Sequence, residues 1–278
     1  MAPLTLQQDG WLAPDNTVTH KPTPHLGAGT NGLVTIVEHY TAGTTPEPAV
    51  NWLTDPNRTS NRSSAHFVIG PDGHIWQLAS VNDVTWHAGV PRSRPGRYGV
   101  NGYSIGIEHT NAGTLTPGPQ GWHAMVWKRN PAGGYDIVPG AAVPSAEVAV
   151  VGNQRWQTWS SAMLDRSEEL HIELIDKLPS IVEIAYHEEI DPENKIDPGP
   201  LFPRDRFEAL IPANRVTDTD TSTDPDQPSD TPPPATHAVK PGDTFWAIGR
   251  MYGITQAQLQ KLNPKYPALF PGDTVALT

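Results

Sequence analysis

The sequence predicts an α/β domain, a central mixed β-sheet flanked by helices, followed by a small separate module. Three observations lead there. Five short apolar runs of strand length, two of them in one hairpin, lie between residues 33 and 187. The segment TWSSAMLDRSEELHIELIDKL (158–178) carries Met163, Leu164, Leu170, Leu174 and Leu178 at helical spacing. A stretch of Pro, Thr, Ser and Asp, PANRVTDTDTSTDPDQPSDTPPPAT (212–236), separates this region from the end of the chain.

In chain order, LVTIVEHY (33–40) reads as a buried strand, and Ala49 to Leu53 as a short helix. AHFVIGPDGHIWQLA (65–79) reads as two alternating runs joined around Pro71-Asp72-Gly73, so a hairpin. SIGIEHT (104–110) and SIVEIAYH (180–187) are further strands. Residues 158–178 predict a helix of about five turns, and FPRDRFEALI (202–211) a shorter one. Residues 113–155 are rich in Gly and Pro; they read as an insertion bordering a groove. Residues 212–236 have too few large apolar side chains to offset the entropy of ordering. Five Asp against one Arg make them a self-repelling, extended linker. The expected organisation is a catalytic domain over 1–211, a linker over 212–236 and a module over 237–278.

Composition excludes several function classes. With no cysteine among 278 residues, disulfides, thiol catalysis and thiolate metal ligands are ruled out. A formal charge of −11 without a basic stripe argues against a nucleic-acid partner. No run approaches the roughly 18 apolar residues of a membrane span. MAPLTLQQDGWLAPDN at the N-terminus lacks a basic start and an apolar centre, so no secretory signal is expected. The expectation is a monomer made in the cytoplasm that reaches its site of action by another route.

The residues that carry chemistry fall in two separated segments. His39 ends the first apolar run; His187 ends the last, and Asp197 follows in KIDPGP (195–200). Two imidazoles and a carboxylate leave a fourth tetrahedral position open for water, the mark of a catalytic zinc site. That pattern points to hydrolysis. For either histidine alone, the alternative is a hydrogen-bonded structural residue. Lys195 sits two residues before Asp197, where a cation can stabilise an oxyanion; the alternative is an ordinary surface lysine.

The segments VEHYTAG (37–43), AHFVIGPDGHIWQL (65–78), WHAGV (86–90), NGYSIGIEHTNAG (101–113) and YHEEIDPENKIDPGP (186–200) together resemble the zinc-dependent N-acetylmuramoyl-L-alanine amidases of type 2. That family shares its fold with the peptidoglycan recognition proteins. The resemblance implies Zn2+ on His39, His187 and Asp197, and Glu108 as the general base. Some relatives use a tyrosine just before the HF of the hairpin strand; this chain has Ala65 there. Trp86, His87 and Asn111 are implied to line the substrate cleft, with His66 in the core or behind the ligands. His20, His25, His74, His109, His123 and His171 are read as structural or solvent-facing.

Residues 237–278 contain two PGDT tetrads, at 241–244 and 271–274, around two short amphipathic stretches. They resemble the LysM module, a βααβ unit that binds N-acetylglucosamine-containing glycans in a shallow groove. The resemblance implies Gly242, Asp243, Thr244 and Phe245 on one side, with Asn263, Pro264, Lys265 and Tyr266 near the other. Asp243 and Thr244 are equally able to cap the following helix. Together the resemblances imply a modular hydrolase of bacterial peptidoglycan, akin to a phage endolysin, with neither nucleic acid nor membrane as partner. The alternatives are a non-catalytic peptidoglycan recognition protein and an amidase for soluble anhydro-muropeptides.

Overall fold

Six strands hydrogen-bond into one mixed sheet in a computed structural model of the chain. The structure describes residues 3–27, 29–30, 32–60, 62–89, 99–131, 135–212, 215, 236–239, 248, 259, 261–266 and 273–277. In chain order the first strands are β1 (Val18–His20), β2 (Leu26–Gly27), β3 (Thr35–Tyr40), β4 (Phe67–Ile69), β5 (Ile75–Gln77), β6 (Val84–Thr85) and β7 (Ser104–His109). An inserted region holds β8 (Leu115–Gly118), β9 (Gly121–Arg129), β10 (Tyr135–Val143), β11 (Val148–Val151) and β12 (Gln154–Gln157). β13 (Glu183–Tyr186) completes the main sheet, whose order is β1-β5-β4-β7-β3-β13. β4 and β5 are antiparallel, as the hairpin reading requires, whereas β4, β7, β3 and β13 run parallel. The helices α1 (Pro46–Thr54), α2 (Ser161–Lys177), α3 (His187–Ile190) and α4 (Arg204–Glu208) accompany them.

The central strands are apolar throughout because both of their faces are covered. On one face Ile36, Phe67, Ile69, Ile105, Ile107 and Ile184 pack against Met163, Leu170 and Leu174 of α2. On the other, Val37 and Ala185 meet Ala88, Val100 and Ile190. Beside them Val68, Ala65 and Leu78 meet Val50 and Leu53 of α1. Period-two alternation therefore divides β3. Ile36 and Glu38 face α2, and Val37 and His39 face the opposite layer.

Glu38 is the exception among the apolar residues facing α2. It is fully buried and hydrogen-bonds His171 Nε2, while His109 Nδ1 lies 3.5 Å away. The other nitrogen of His171 faces the carbonyl of Ser167 at 2.7 Å, so the ring is held from both sides. Burial opposes the charge on Glu38, but His171 and then His109 outweigh it and hold the carboxyl below its ordinary range.

The glycine- and proline-rich region 113–155 is an antiparallel insertion, with one sheet ordered β10-β9-β8 and a β11–β12 hairpin. Its neck is tied by Ala112 N to Gln157 Oε1 at 2.8 Å and Gln157 N to Gly113 O at 3.0 Å.

Near the C-terminus β14 (Thr236–Ala238) pairs antiparallel with β15 (Thr274–Ala276). Val239, Ile248, Leu259, Val275 and Leu277 form a small core of their own. Both strands of the expected βααβ module are present; most of 212–236 and of the segment between the strands lies outside the described residues. Among the described residues no helix is long and apolar enough to cross a membrane.

The Glu38–His171 pair gives a direct test of this packing. His171→Leu leaves Glu38 buried without its main partner, and the unfolding free energy of this domain should fall by about 3 kcal/mol or more in urea titrations. A loss under about 1 kcal/mol would mean that the pair does not brace the sheet against α2.

Candidate metal centre and its cleft

Three neighbouring parallel strands deliver their site residues to one end of the sheet. β7 pairs with β3 so that Glu108 lies opposite His39, and β13 pairs so that Tyr186 lies opposite Glu38. The next residue after Tyr186 is His187, at the start of α3. The carboxyl ends of parallel strands are where open α/β sheets place ligands. Asp197 joins them from the loop after α3. Its carbonyl accepts from Glu188 N at 2.8 Å, and Lys195 N donates to Asp191 O at 2.9 Å. The Asp197–Pro198 peptide is cis, and Gly199 follows at φ +84°. A Cβ on Gly199 would lie 2.5 Å from the ring of Trp156, so a residue of the insertion packs closely against this turn.

His39 Nδ1, His187 Nδ1 and Asp197 Oδ2 form a triangle with edges of 2.9, 2.9 and 3.1 Å. A tetrahedral ion with ligand bonds near 2.0 Å has edges of about 3.3 Å, so the triangle is close to the required size. Its electrostatics also suit a cation. Burial, and then the neighbouring His187, push His39 down to about 4 against the pull of Asp197, so its ring is neutral. Burial opposes the charge on Asp197, but its side-chain contacts with His187 and His39 outweigh it and hold the carboxyl well below the usual range. A neutral imidazole and a carboxylate thus converge with a second imidazole on one point. The structure brings together the three residues singled out in the sequence.

Glu108 stands beside them, partly open to the cleft, with Oε2 sealed and without a hydrogen-bond partner among the described residues. Burial and then Asp197 push its carboxyl up to about 8, while Lys195 pulls the other way. Lys195 lines the same cavity. So does Tyr40, which the sequence reading passed over; burial and then Asp197 raise its phenol, keeping it protonated. Ala65 is fully buried in the core beneath α1.

Other expected site residues have different surroundings. Trp86 is exposed and lines the cavity. His87 also reaches the cavity, yet both ring nitrogens are engaged inside the protein. Nδ1 lies 2.9 Å from His39 Nε2, and Nε2 lies 3.0 Å from Ser104 Oγ. His87 therefore lines the cavity, as the resemblance implies, while its ring also holds a metal-ligand candidate from behind. Asn111 is 1% exposed; its side chain accepts from Gly113 N at 2.8 Å and donates to Thr158 O at 3.1 Å. It braces the neck of the insertion and does not line the cleft. His66 is buried behind the site, bonded to Gly106 N at 3.0 Å and Asp83 O at 3.1 Å, and burial pushes it down to about 4.

In the C-terminal module Asn263 is 3% exposed. Its amide donates to Leu259 O and Ala276 O, both at 2.8 Å, and accepts from Ala276 N at 2.7 Å. With every polar atom used internally, it holds the module together, a correction to the expected glycan contact. Pro264 is exposed. Gly242, Asp243, Thr244 and Phe245 lie outside the described residues.

The cleft over the triangle has a volume of about 630 Å³. One wall comes from α1, with Pro48 and Trp52; the other comes from the insertion, with Thr114, Met125 and Trp127. The insertion thus borders the groove, as its position in the sequence suggested. Trp52 and Trp127 are half or more exposed, 50% and 64%. They were not singled out in the sequence, where nothing distinguishes a cleft tryptophan from a core one.

Comparison with known proteins agrees with this geometry. Residues 30–200 match the N-acetylmuramoyl-L-alanine amidase family, and residues 237–278 match the LysM domain. The 1,6-anhydro-N-acetylmuramyl-L-alanine amidase AmpD of Citrobacter freundii is 29% identical over 223 residues, 74% of this chain and 95% of that protein. AmpD of Escherichia coli (strain K12) is 30% identical over 151 residues, 54% of this chain and 59% of that protein. The crystal structure of a selenomethionine AmpD derivative aligns with a TM-score of 0.50 at 26% identity, covering 75% of this chain and 100% of that one. A mixed sheet ending in a His-His-Asp triangle, matched over more than half its length, belongs to a known class: the chain is a member of the N-acetylmuramoyl-L-alanine amidase family.

Proposed function

We propose that the chain is a zinc-dependent peptidoglycan hydrolase that cleaves the amide between N-acetylmuramic acid and L-alanine of the stem peptide. The observation that carries this reading is the convergence of His39, His187 and Asp197 with Glu108 one strand away. Two imidazoles and a carboxylate are a donor set that zinc accepts in hydrolases, with one position left for water.

When bound, zinc supplies Lewis acidity, polarising a carbonyl and making water nucleophilic near neutral pH. The rest is work for the chain. Glu108 takes a proton from the attacking water and passes it to the leaving nitrogen as the C–N bond breaks. A carboxyl pushed up to about 8 is basic enough for the first transfer. A nearby dication would lower that value toward neutrality, where taking and giving a proton are balanced. Lys195 faces the cleft and offsets negative charge on the carbonyl oxygen of the tetrahedral intermediate. Trp86, Trp52 and Trp127 offer apolar surface on which the substrate rests.

The LysM match at 237–278 supports anchoring to wall glycan. Tethering raises the effective concentration of the catalytic domain at a polymer that each module binds weakly. In this reading 1–211 is the catalytic unit, 212–236 the tether, and the chain acts as a monomer on the cell wall in the manner of an endolysin. A second reading, hydrolysis of soluble anhydro-muropeptides, is favoured by the activity named for the AmpD relative that matches over 95% of its length. The LysM module weighs against it, because a small soluble substrate needs no wall anchor.

Digestion of intact sacculi should release stem peptides beginning at L-alanine, detected by mass spectrometry. The release should vanish on chelation and in Glu108→Ala, and return when zinc is added back to the wild type. Turnover confined to soluble anhydro-muropeptides would favour the second reading. Lys195→Ala should lower kcat by about 100-fold or more with little change in KM.

Glu108 also predicts a pH dependence of stability. Its folded value, about 8, lies above the ordinary 4.5, so the native state binds the extra proton. That contribution is complete below 4.5 and is lost as pH rises toward 8. Metal-free wild type should therefore lose thermal stability between about pH 5 and pH 8 relative to Glu108→Gln. Parallel curves would contradict a buried, proton-binding Glu108.

A further inference from the structure

Of the two imidazoles in the triangle, only His39 is held from behind. Its Nε2 faces His87 Nδ1 at 2.9 Å, and His87 Nε2 faces Ser104 Oγ at 3.0 Å. Ser104 Oγ donates to the carbonyl of Val100 at 2.6 Å. By contrast, Nε2 of His187 is buried without a partner among the described residues.

The direction of every proton in this chain follows from its last member. A carbonyl oxygen can only accept, so the single hydroxyl proton of Ser104 goes to Val100. Ser104 Oγ then accepts, and His87 must donate from Nε2. A neutral ring with its proton on Nε2 has its lone pair on Nδ1. His39 must therefore donate from Nε2, which leaves the lone pair of His39 Nδ1 aimed at His187 and Asp197. Three imidazole and hydroxyl groups are thus ordered by one backbone carbonyl.

The fold is arranged to keep this line straight. Ser104, Gly106 and Glu108 alternate on the face of β7 that carries His39 on β3, because Glu108 and His39 are register partners. The ring of His87 lies in the trough at Gly106, where a Cβ would come within 2.4 Å of its Cγ. Asn101 Oδ1 accepts from the backbone N–H of His87 at 3.0 Å and of Ala88 at 2.8 Å, fixing the loop from which the ring projects. His39 and Ser104 are fully buried and His87 is 8% exposed, so water does not compete for these bonds.

We propose that Ser104 and His87 form a proton-ordered relay that fixes the tautomer and orientation of His39 for metal binding. This rests on the reading of the triangle as a metal site. Both are positioning residues, and neither contacts the ion. Outer partners of ligating histidines commonly set metal affinity by about 10- to 100-fold.

The test reads imidazole tautomers by long-range 1H–15N NMR in the metal-free full chain, together with zinc affinity by chelator competition. In wild type, His39 should carry its proton on Nε2 before any metal is added. Ser104→Ala should let His87 reverse, shift part of the His39 population to the Nδ1–H form, and weaken zinc binding several-fold. His87→Leu should weaken it about 10- to 100-fold. His87→Asn places Oδ1 where Nδ1 now accepts and should restore most of the loss. An Nδ1–H tautomer at His39 in wild type overturns the relay without any variant, as does equal zinc affinity in His87→Leu. If wild type binds no zinc, the metal reading itself fails, and that outcome is distinct from a relay failure.

Discussion

The parallel, in-register pairing of β7, β3 and β13 is the constraint on which the site depends. It brings Glu108, His39 and His187 to adjacent strand ends without any long side chain having to reach. A one-residue slip of β3 would turn His39 toward α2 and Glu38 toward the cleft. The apolar layers on both faces forbid that slip, since Ile36 and Val37 each have a filled layer to occupy. Register is thus set by the core, and the chemistry inherits it.

Around this row the protein fixes the site from several directions. Behind β3, Glu38 is pinned by His171 of α2. On the site face, His87 fills the trough left by Gly106 and holds His39. From the side, Trp156 of the insertion packs against Gly199, two residues past Asp197. The insertion is therefore both a wall of the cleft and a support for the third member of the triangle. Its neck is closed by Asn111, Ala112, Gly113 and Gln157, so it is joined to the strand that carries Glu108.

Much of this was legible in the sequence because the relevant residues end apolar runs or lie in distinctive segments. His39, His187 and Asp197 were named from position and donor type, and α2 from its periodicity; its bounds came within a few residues. The strands of the insertion were not legible, because glycine and proline mask the alternation that reads as a strand. Polar residues in distinctive segments read as facing the ligand, yet two of them, Asn111 and Asn263, turn inward and satisfy backbone partners instead. Sequence records that a polar residue sits near a site, but not which side of it. The relay had one legible signal: Ser104, Gly106 and Glu108 share a parity, so a small residue between two polar ones marks a trough on the face of the site.

X-ray absorption at the zinc edge of the loaded full-length chain tests the central claim most directly. One tightly held zinc with four nitrogen or oxygen ligands at about 2.0–2.1 Å, two of them imidazole, is the expected result. The signal should lose one imidazole in His187→Ala. Three imidazoles in the shell would place His87 on the metal and contradict the arrangement, and a shell unchanged by His187→Ala would place the zinc elsewhere.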